Sequence, residues 1–102
     1  MQKIPLSAIP NQSFNVLLND QNCVIHLCQR GDYMYMDLTV NGTVIRTGMI
    51  CLVDVSIVNY PVNGFSGYLF FSDLKGSDGV VNYAELNSRY VLFYATEDEL
   101  NV

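Results

Sequence analysis

His26, Cys23, Cys28 and Cys51 invite a chemical reading of this 102-residue chain, because imidazole and thiol together make activated nucleophiles and zinc sites. If residues 26 and 28 share a strand face, their Cα atoms lie about 6.5–7 Å apart. That is long for a nucleophile–base hydrogen bond, and no sequence pattern brings Cys51 near His26. The same four residues lack the short paired spacing of structural zinc sites. A second test falls on 74–85, where Asp78, Gly79 and Glu85 occupy the fifth, sixth and twelfth positions of an EF-hand loop. Leu74 and Gly76 stand at its first and third positions, where oxygen ligands are required. The carboxylates Asp32, Asp37, Asp54 and Asp73 are dispersed, and no glycine-rich run could cradle a phosphate. The expectation is a protein that is not an enzyme, with no catalytic residue, cofactor or metal.

Charge narrows the partners. Ten acidic residues face five basic ones, a net of −5, and Lys3, Arg30, Arg46, Lys75 and Arg89 are scattered singly. Without a clustered positive stripe, neither nucleic acid nor an anionic membrane is an expected partner. No apolar stretch approaches the roughly 20 residues that span a bilayer. The opening Met1-Gln2-Lys3-Ile4-Pro5-Leu6 lacks the long apolar core of a signal peptide. Three cysteines without C-x-x-C spacing read as reduced thiols in a chain that folds in a cytoplasm.

The elements that must hold these residues are strands. Tyr33–Val40 alternates, with Met34, Met36, Leu38 and Val40 on one face and Tyr33, Tyr35, Asp37 and Thr39 on the other. Asn41-Gly42 follows, a pair that accepts positive φ at both centres of a type I′ hairpin, and β-branched Thr43–Thr47 returns. Phe14, Val16 and Leu18 share one face of an earlier strand, and Asn19–Asn22 is a turn. Cys23–Gln29 is the next strand, with Cys23, Ile25 and Leu27 opposite Val24, His26 and Cys28. Arg30-Gly31-Asp32 spells an integrin ligand, but a tight turn explains it better.

The apolar run Met49–Val58 reads as a strand buried on both faces or a corner between two sheets. Tyr60–Gly67 and Asp73–Asn82 are loops, Tyr68–Phe71 and Arg89–Tyr94 are short strands, and residues 83–87 form one helical turn. Thr96 and Glu99 make a capping box for a final frayed turn. The sum is an all-β domain of about six or seven short antiparallel strands, a small barrel or sandwich. Residues 1–12 form an extended N-terminal arm and 13–102 a single β domain.

Pro5 and Pro10 keep that arm extended. Its Ile4, Leu6 and Ile9 are expected to dock on the chain's own sheet or on a neighbour. Seven Tyr and five Phe without Trp are a heavy aromatic load. Tyr33 and Tyr35 either cover the rim of a small core or form an interaction surface. The alternative of a different class is a carbohydrate- or peptide-binding module using Tyr33, Tyr35, Tyr60 and Tyr68. A hydrolase using Cys28 or Cys51 with His26 is a third.

The opening Ile4-Pro5-Leu6-Ser7-Ala8-Ile9-Pro10-Asn11-Gln12-Ser13-Phe14, followed by an alternating strand, resembles small baseplate plug proteins of contractile-tailed bacteriophages, described in cyanophages. The resemblance continues through Met36-Asp37-Leu38, Asn41-Gly42 and Gly67-Tyr68-Leu69-Phe70-Phe71-Ser72-Asp73. It ends in Tyr90-Val91-Leu92-Phe93-Tyr94 and its acidic tail. The cysteines and the apolar run at 49–53 lie outside the pattern. The resemblance implies a non-enzymatic virion component made in the host cytoplasm and lodged at the baseplate axis. Its implied partners are the hub, tube and spike proteins and copies of itself. Ile4, Leu6 and Ile9 would carry the contact. A net negative charge suits a part that must not hold DNA passing through the tube.

Overall fold

Seven strands form in the computed structural model, which describes residues 1–58, 64–76 and 79–100, the backbone alone at 97 and 100. They are β1 (Gln2–Ile4), β2 (Asn11–Leu18), β3 (Gln21–Arg30), β4 (Tyr33–Val40), β5 (Thr43–Ile50), β6 (Tyr68–Asp73) and β7 (Tyr90–Ala95). Among the described residues a 3-10 turn, Tyr83–Glu85, and a one-turn helix α1, Glu97–Leu100, are the remaining elements. Among the described residues no helix is long and apolar enough to cross a membrane.

Local chemistry sets the larger sheet, an antiparallel meander in the order β2-β3-β4-β5. Asn19 and Asp20 sit at φ 49° and 62°, and Asn41 and Gly42 at φ 50° and 81°, the paired positive values of type I′ turns. These turns twist with the strands they join, so β2–β3 runs in unbroken register from Asn11↔Cys28 to Leu18↔Gln21. The Asn41 side chain also accepts the Asn22 N–H at 3.1 Å, closing the second turn from outside.

The smaller sheet has the order β1-β7-β6. Neither sheet closes on itself, so the fold is a sandwich rather than a barrel. Period-two faces meet between them: Cys23, Ile25, Leu27, Met34, Met36 and Leu38 from one side, Leu69, Phe71, Leu92 and Tyr94 from the other, all buried. Each large aliphatic side chain so buried contributes roughly 1.5–3 kcal/mol.

The apolar run after β5 turns out to be the corner between sheets. Cys51 N–H still donates to Met34 O at 2.9 Å, extending the meander. Three residues later Asp54 N–H donates to Phe71 O at 2.9 Å, and Ile57 N–H to Leu69 O at 2.8 Å, both on β6. Val53 bridges Phe71 in parallel. The chain therefore changes sheet within a few residues, with Cys51, Ile57 and Val58 buried in the core and Leu52 and Val55 exposed. Asp54 makes the change at φ 60°, a conformation Asp tolerates.

A second tie is polar. Gln21 and Ser66 exchange hydrogen bonds, Ser66 N–H to Gln21 Oε1 at 2.8 Å and Gln21 Nε2 to Ser66 O at 3.0 Å. Tyr94 Oη donates to the same Ser66 O at 2.5 Å. The Tyr94 ring lies so close over Gly67 that any Cβ there would overlap it, and Gly67 itself sits at φ 111°. Glycine is needed on both counts.

Candidate functional site

His26 lies on the outer face of β3, level with Asp37 on β4 and beside Asn11 on β2. Its Nδ1 is 3.1 Å from Asp37 Oδ2 and its Nε2 is 2.7 Å from Asn11 Oδ1. A carboxylate oxygen only accepts, so Nδ1 carries the hydrogen. The other Asp37 oxygen accepts the Gly48 N–H at 2.7 Å. That bond holds the Asp37 carboxyl below the usual carboxylate range, and His26 adds to the effect. The row spans all four strands of the sheet, and both ring nitrogens are engaged by side chains of neighbouring strands.

The thiols stand elsewhere. Cys23 and Cys51 are buried, and burial pushes their pKa values up to about 11 and about 12, away from the thiolate that attacks or binds metal. Cys28 shares the His26 face, but its Sγ meets Gln29 O at 3.7 Å. The zinc set is thus divided between the two faces of one sheet. Among the described residues, no three His, Cys, Asp or Glu side chains gather to hold a metal. In the would-be calcium loop, Asp78 lies outside the described residues. Glu85 turns to Asn82 Nδ2 at 3.3 Å and to Arg89 at 3.7 Å.

The most heavily bonded carboxylate is one that sequence reasoning left among the dispersed acids. Asp73 ends β6 with its side chain only 2% exposed. Arg89 reaches it with two prongs, Nε to Oδ1 and Nη2 to Oδ2, both at 2.9 Å. Lys75 N–H donates to Oδ1 at 2.9 Å and Gly79 N–H to Oδ2 at 3.2 Å. Chiefly through Arg89, the carboxyl is held down to about 2. Arg89 also stacks over Tyr90, its Cζ 5.0 Å from the ring centroid. The sequence marks Asp73–Asn82 only as a loop, and the Lys75 N–H to Asp73 Oδ1 bond makes its first residues an Asx turn. The arginine sixteen residues on was not legible. This knot closes the loop between β6 and β7.

The residues expected to meet partners fall into two groups. β1 pairs with β7 through Gln2↔Tyr94, Lys3↔Phe93 and Ile4↔Leu92, within the chain's own sheet. Ile4 retains 0% and Leu6 8% exposure, both inside the core. Ile9 and Tyr33 are exposed, and Tyr35 is half-buried beneath Arg30, whose Cζ lies 5.7 Å from its centroid. Tyr68 is on β6 in the other sheet, and Tyr60 lies outside the described residues. The tyrosines at 33, 35 and 68 therefore do not form one platform.

An open hollow of about 230 Å³ lies over β6, lined by Asp54, Val55, Ser56, Tyr68 and Phe70. It is smaller than the roughly 300 Å³ at which ligand pockets begin. Ser56 Oγ in its lining already donates to Val58 O at 2.6 Å. No buried side-chain polar atom among the described residues lacks a hydrogen-bond partner. The buried polar groups are thus all engaged in holding the fold.

Against known proteins, the family model described as cyanophage baseplate Pam3 plug gp18 matches residues 1–97. No curated protein matches the chain.

Proposed function

The chain belongs to the cyanophage baseplate plug family, and on that premise we propose where in the tail it sits and how it acts. It is a structural component of a phage tail baseplate. Its proposed place is the baseplate axis, where tail tube, hub and central spike meet. It reaches the virion after synthesis in the host cytoplasm. It acts by packing and strand pairing against those neighbours, and no bond is made or broken.

The observation that carries this reading is the extent of the match, residues 1–97 of a 102-residue chain. The satisfied polar interior and the high-pKa buried thiols support packing over chemistry. Of the proposed contact residues, Ile9, Tyr33 and Tyr35 have surface to offer a neighbour. Ile4 and Leu6 reach one only if the arm leaves β7 for another sheet, an exchange that preserves their burial.

Cryo-electron microscopy of purified tails tests the placement. The expected result is density for a two-sheet sandwich on the tail axis, in contact with hub and tube. Tails that lack the chain, or carry it at the baseplate rim, would overturn it.

A further inference from the structure

The crossing segment and β6 together frame the open hollow of about 230 Å³. β6 alternates, with Leu69, Phe71 and Asp73 buried inward and Tyr68, Phe70 and Ser72 half-buried on the outer face. Phe70 and Tyr68 bring two aromatic rings to the lining. The Phe70 ring is stacked on Phe93 of β7, centroids 5.9 Å apart and planes 30° from parallel. Asp54, Val55 and Ser56 of the crossing segment line the remainder. The Asp54 and Ile57 N–H groups donate to Phe71 O and Leu69 O, so backbone bonds on both sides of those residues fix them to β6. The hollow is built by the fold itself.

Asp54 is the anionic member of this lining, and its carboxylate is uncommitted. Asp37, Asp73, Glu85 and Glu99 each meet a cationic or imidazole group. Among the described residues no hydrogen bond or ion pair engages the Asp54 side chain. Lys3 is in register with Phe93 but lies on β1, two strands and about 10 Å from β6. Aromatic faces carry the negative end of the ring quadrupole and attract cations, as a carboxylate does. Rings and acid therefore ask for the same kind of guest.

We propose that this hollow is the socket for one arginine side chain of a neighbouring baseplate protein. The inference deepens the reading above, that the chain acts by packing against its neighbours, and rests on it. Size sets the first limit. The space is too small for an ordinary ligand but suits one side chain, and interface anchors are single residues that fill such pockets, arginine prominent among them. Chemistry sets the second. A guanidinium is flat and weakly hydrated, so it can lie against aromatic rings while its N–H fork meets a carboxylate. A lysine ammonium is a strongly hydrated point charge with no plane to stack. Net charge sets the third. A chain of −5 draws a basic partner and opposes a second copy of itself as the donor.

Nα-acetyl-L-arginine amide, titrated into the full chain at constant ionic strength, is the probe. It is taken to about 0.1 M, because one side chain cut from its protein binds weakly. Nuclear magnetic resonance shifts at Val55, Ser56, Tyr68 and Phe70 should saturate on one curve, while those at Val24 and Thr39 on the other sheet stay fixed. The citrulline analogue, similar in shape but uncharged, and the lysine analogue should each bind at least about fivefold more weakly. Asp54→Asn keeps a residue that accepts the positive φ at this position. It should weaken arginine binding by a similar factor with the circular dichroism spectrum unchanged. Phe70→Leu, which removes a ring and keeps an apolar contact for Phe93, should do the same, and carries the test if Asp54→Asn unfolds. The proposal is overturned if no saturable shift appears at these residues, or if either analogue binds as well as arginine. Unaltered affinity in the folded variants overturns it too. Each of those results leaves the axial placement standing, since density for the chain in whole tails does not depend on this hollow.

Discussion

Asp73 and Asp37 are both acids that bind a cationic or imidazole side chain from a neighbouring segment and a backbone N–H, yet their surroundings differ. Asp73 is almost wholly covered, meets a two-pronged guanidinium and accepts two peptide N–H groups. Asp37 keeps 37% of its side chain exposed, meets one imidazole nitrogen and accepts one peptide N–H. Water competes for every bond at Asp37 and for almost none at Asp73. The same residue type is therefore structural at one sheet end and nearly optional on the other sheet's outer face. A hydrogen-bonded His–Asp row is not by itself a sign of catalysis, since here Asp37 and Asn11 take both imidazole nitrogens.

The contrast breaks most visibly at Asp73. Asp73→Ala leaves the Arg89 guanidinium without its bidentate partner and two peptide groups without an acceptor, so the midpoint of thermal unfolding falls by about 10 °C or more. Differential scanning calorimetry measures it, and a fall under about 3 °C would show that the knot is replaceable. Acid sharpens the same point. A carboxyl held down to about 2 in the fold, against about 3.9 in the unfolded chain, stabilises fully above pH 4. That stability is lost as pH falls toward 2, because the unfolded chain takes up the proton first. Urea midpoints measured between pH 5 and pH 2 should decline steeply for the native chain, and less for Asp73→Asn.

Arg89→Lys keeps the cation but gives up the fork. Its loss should fall between those of Asp73→Ala and a surface change, because one ammonium cannot match both carboxylate oxygens. The smallest effects belong to the exposed row. Asp37→Asn and His26→Ala should each change stability by no more than about 0.5–1 kcal/mol at pH 7, the ordinary range for exposed pairs. A larger loss in chemical denaturation would mean that the Gly48 bend of β5 depends on the Asp37 bond.

Much of the larger sheet was legible because its signals are local. Met34, Met36, Leu38 and Val40 alternate with polar neighbours, and Asn41-Gly42 demands one kind of turn, so strand, face and hairpin follow from a dozen adjacent residues. The corner at 51–57 was half legible. Its apolar character pointed to the core, where Cys51, Ile57 and Val58 lie, while Leu52 and Val55 are exposed. Only the bonds to Met34 on one sheet and to Phe71 and Leu69 on the other show that it crosses. The His26 row was not legible, since Asn11 and Asp37 become its neighbours only through the register of three strands. Nor was the Asp73–Arg89 pair, joined across a loop.

Residue order along the chain determined the class of this protein. Period-two faces, turn dipeptides with positive φ and sparse charge specify an all-β domain. Tertiary structure decided what each end and edge does. It drew β1 onto β7, some ninety residues away in sequence, and buried Ile4 and Leu6. It set β2 and β5 at the edges of the larger sheet and β1 and β6 at those of the smaller. Alternation and turn preference act between neighbours in sequence, whereas pairing and burial depend on which distant segments meet in the folded chain.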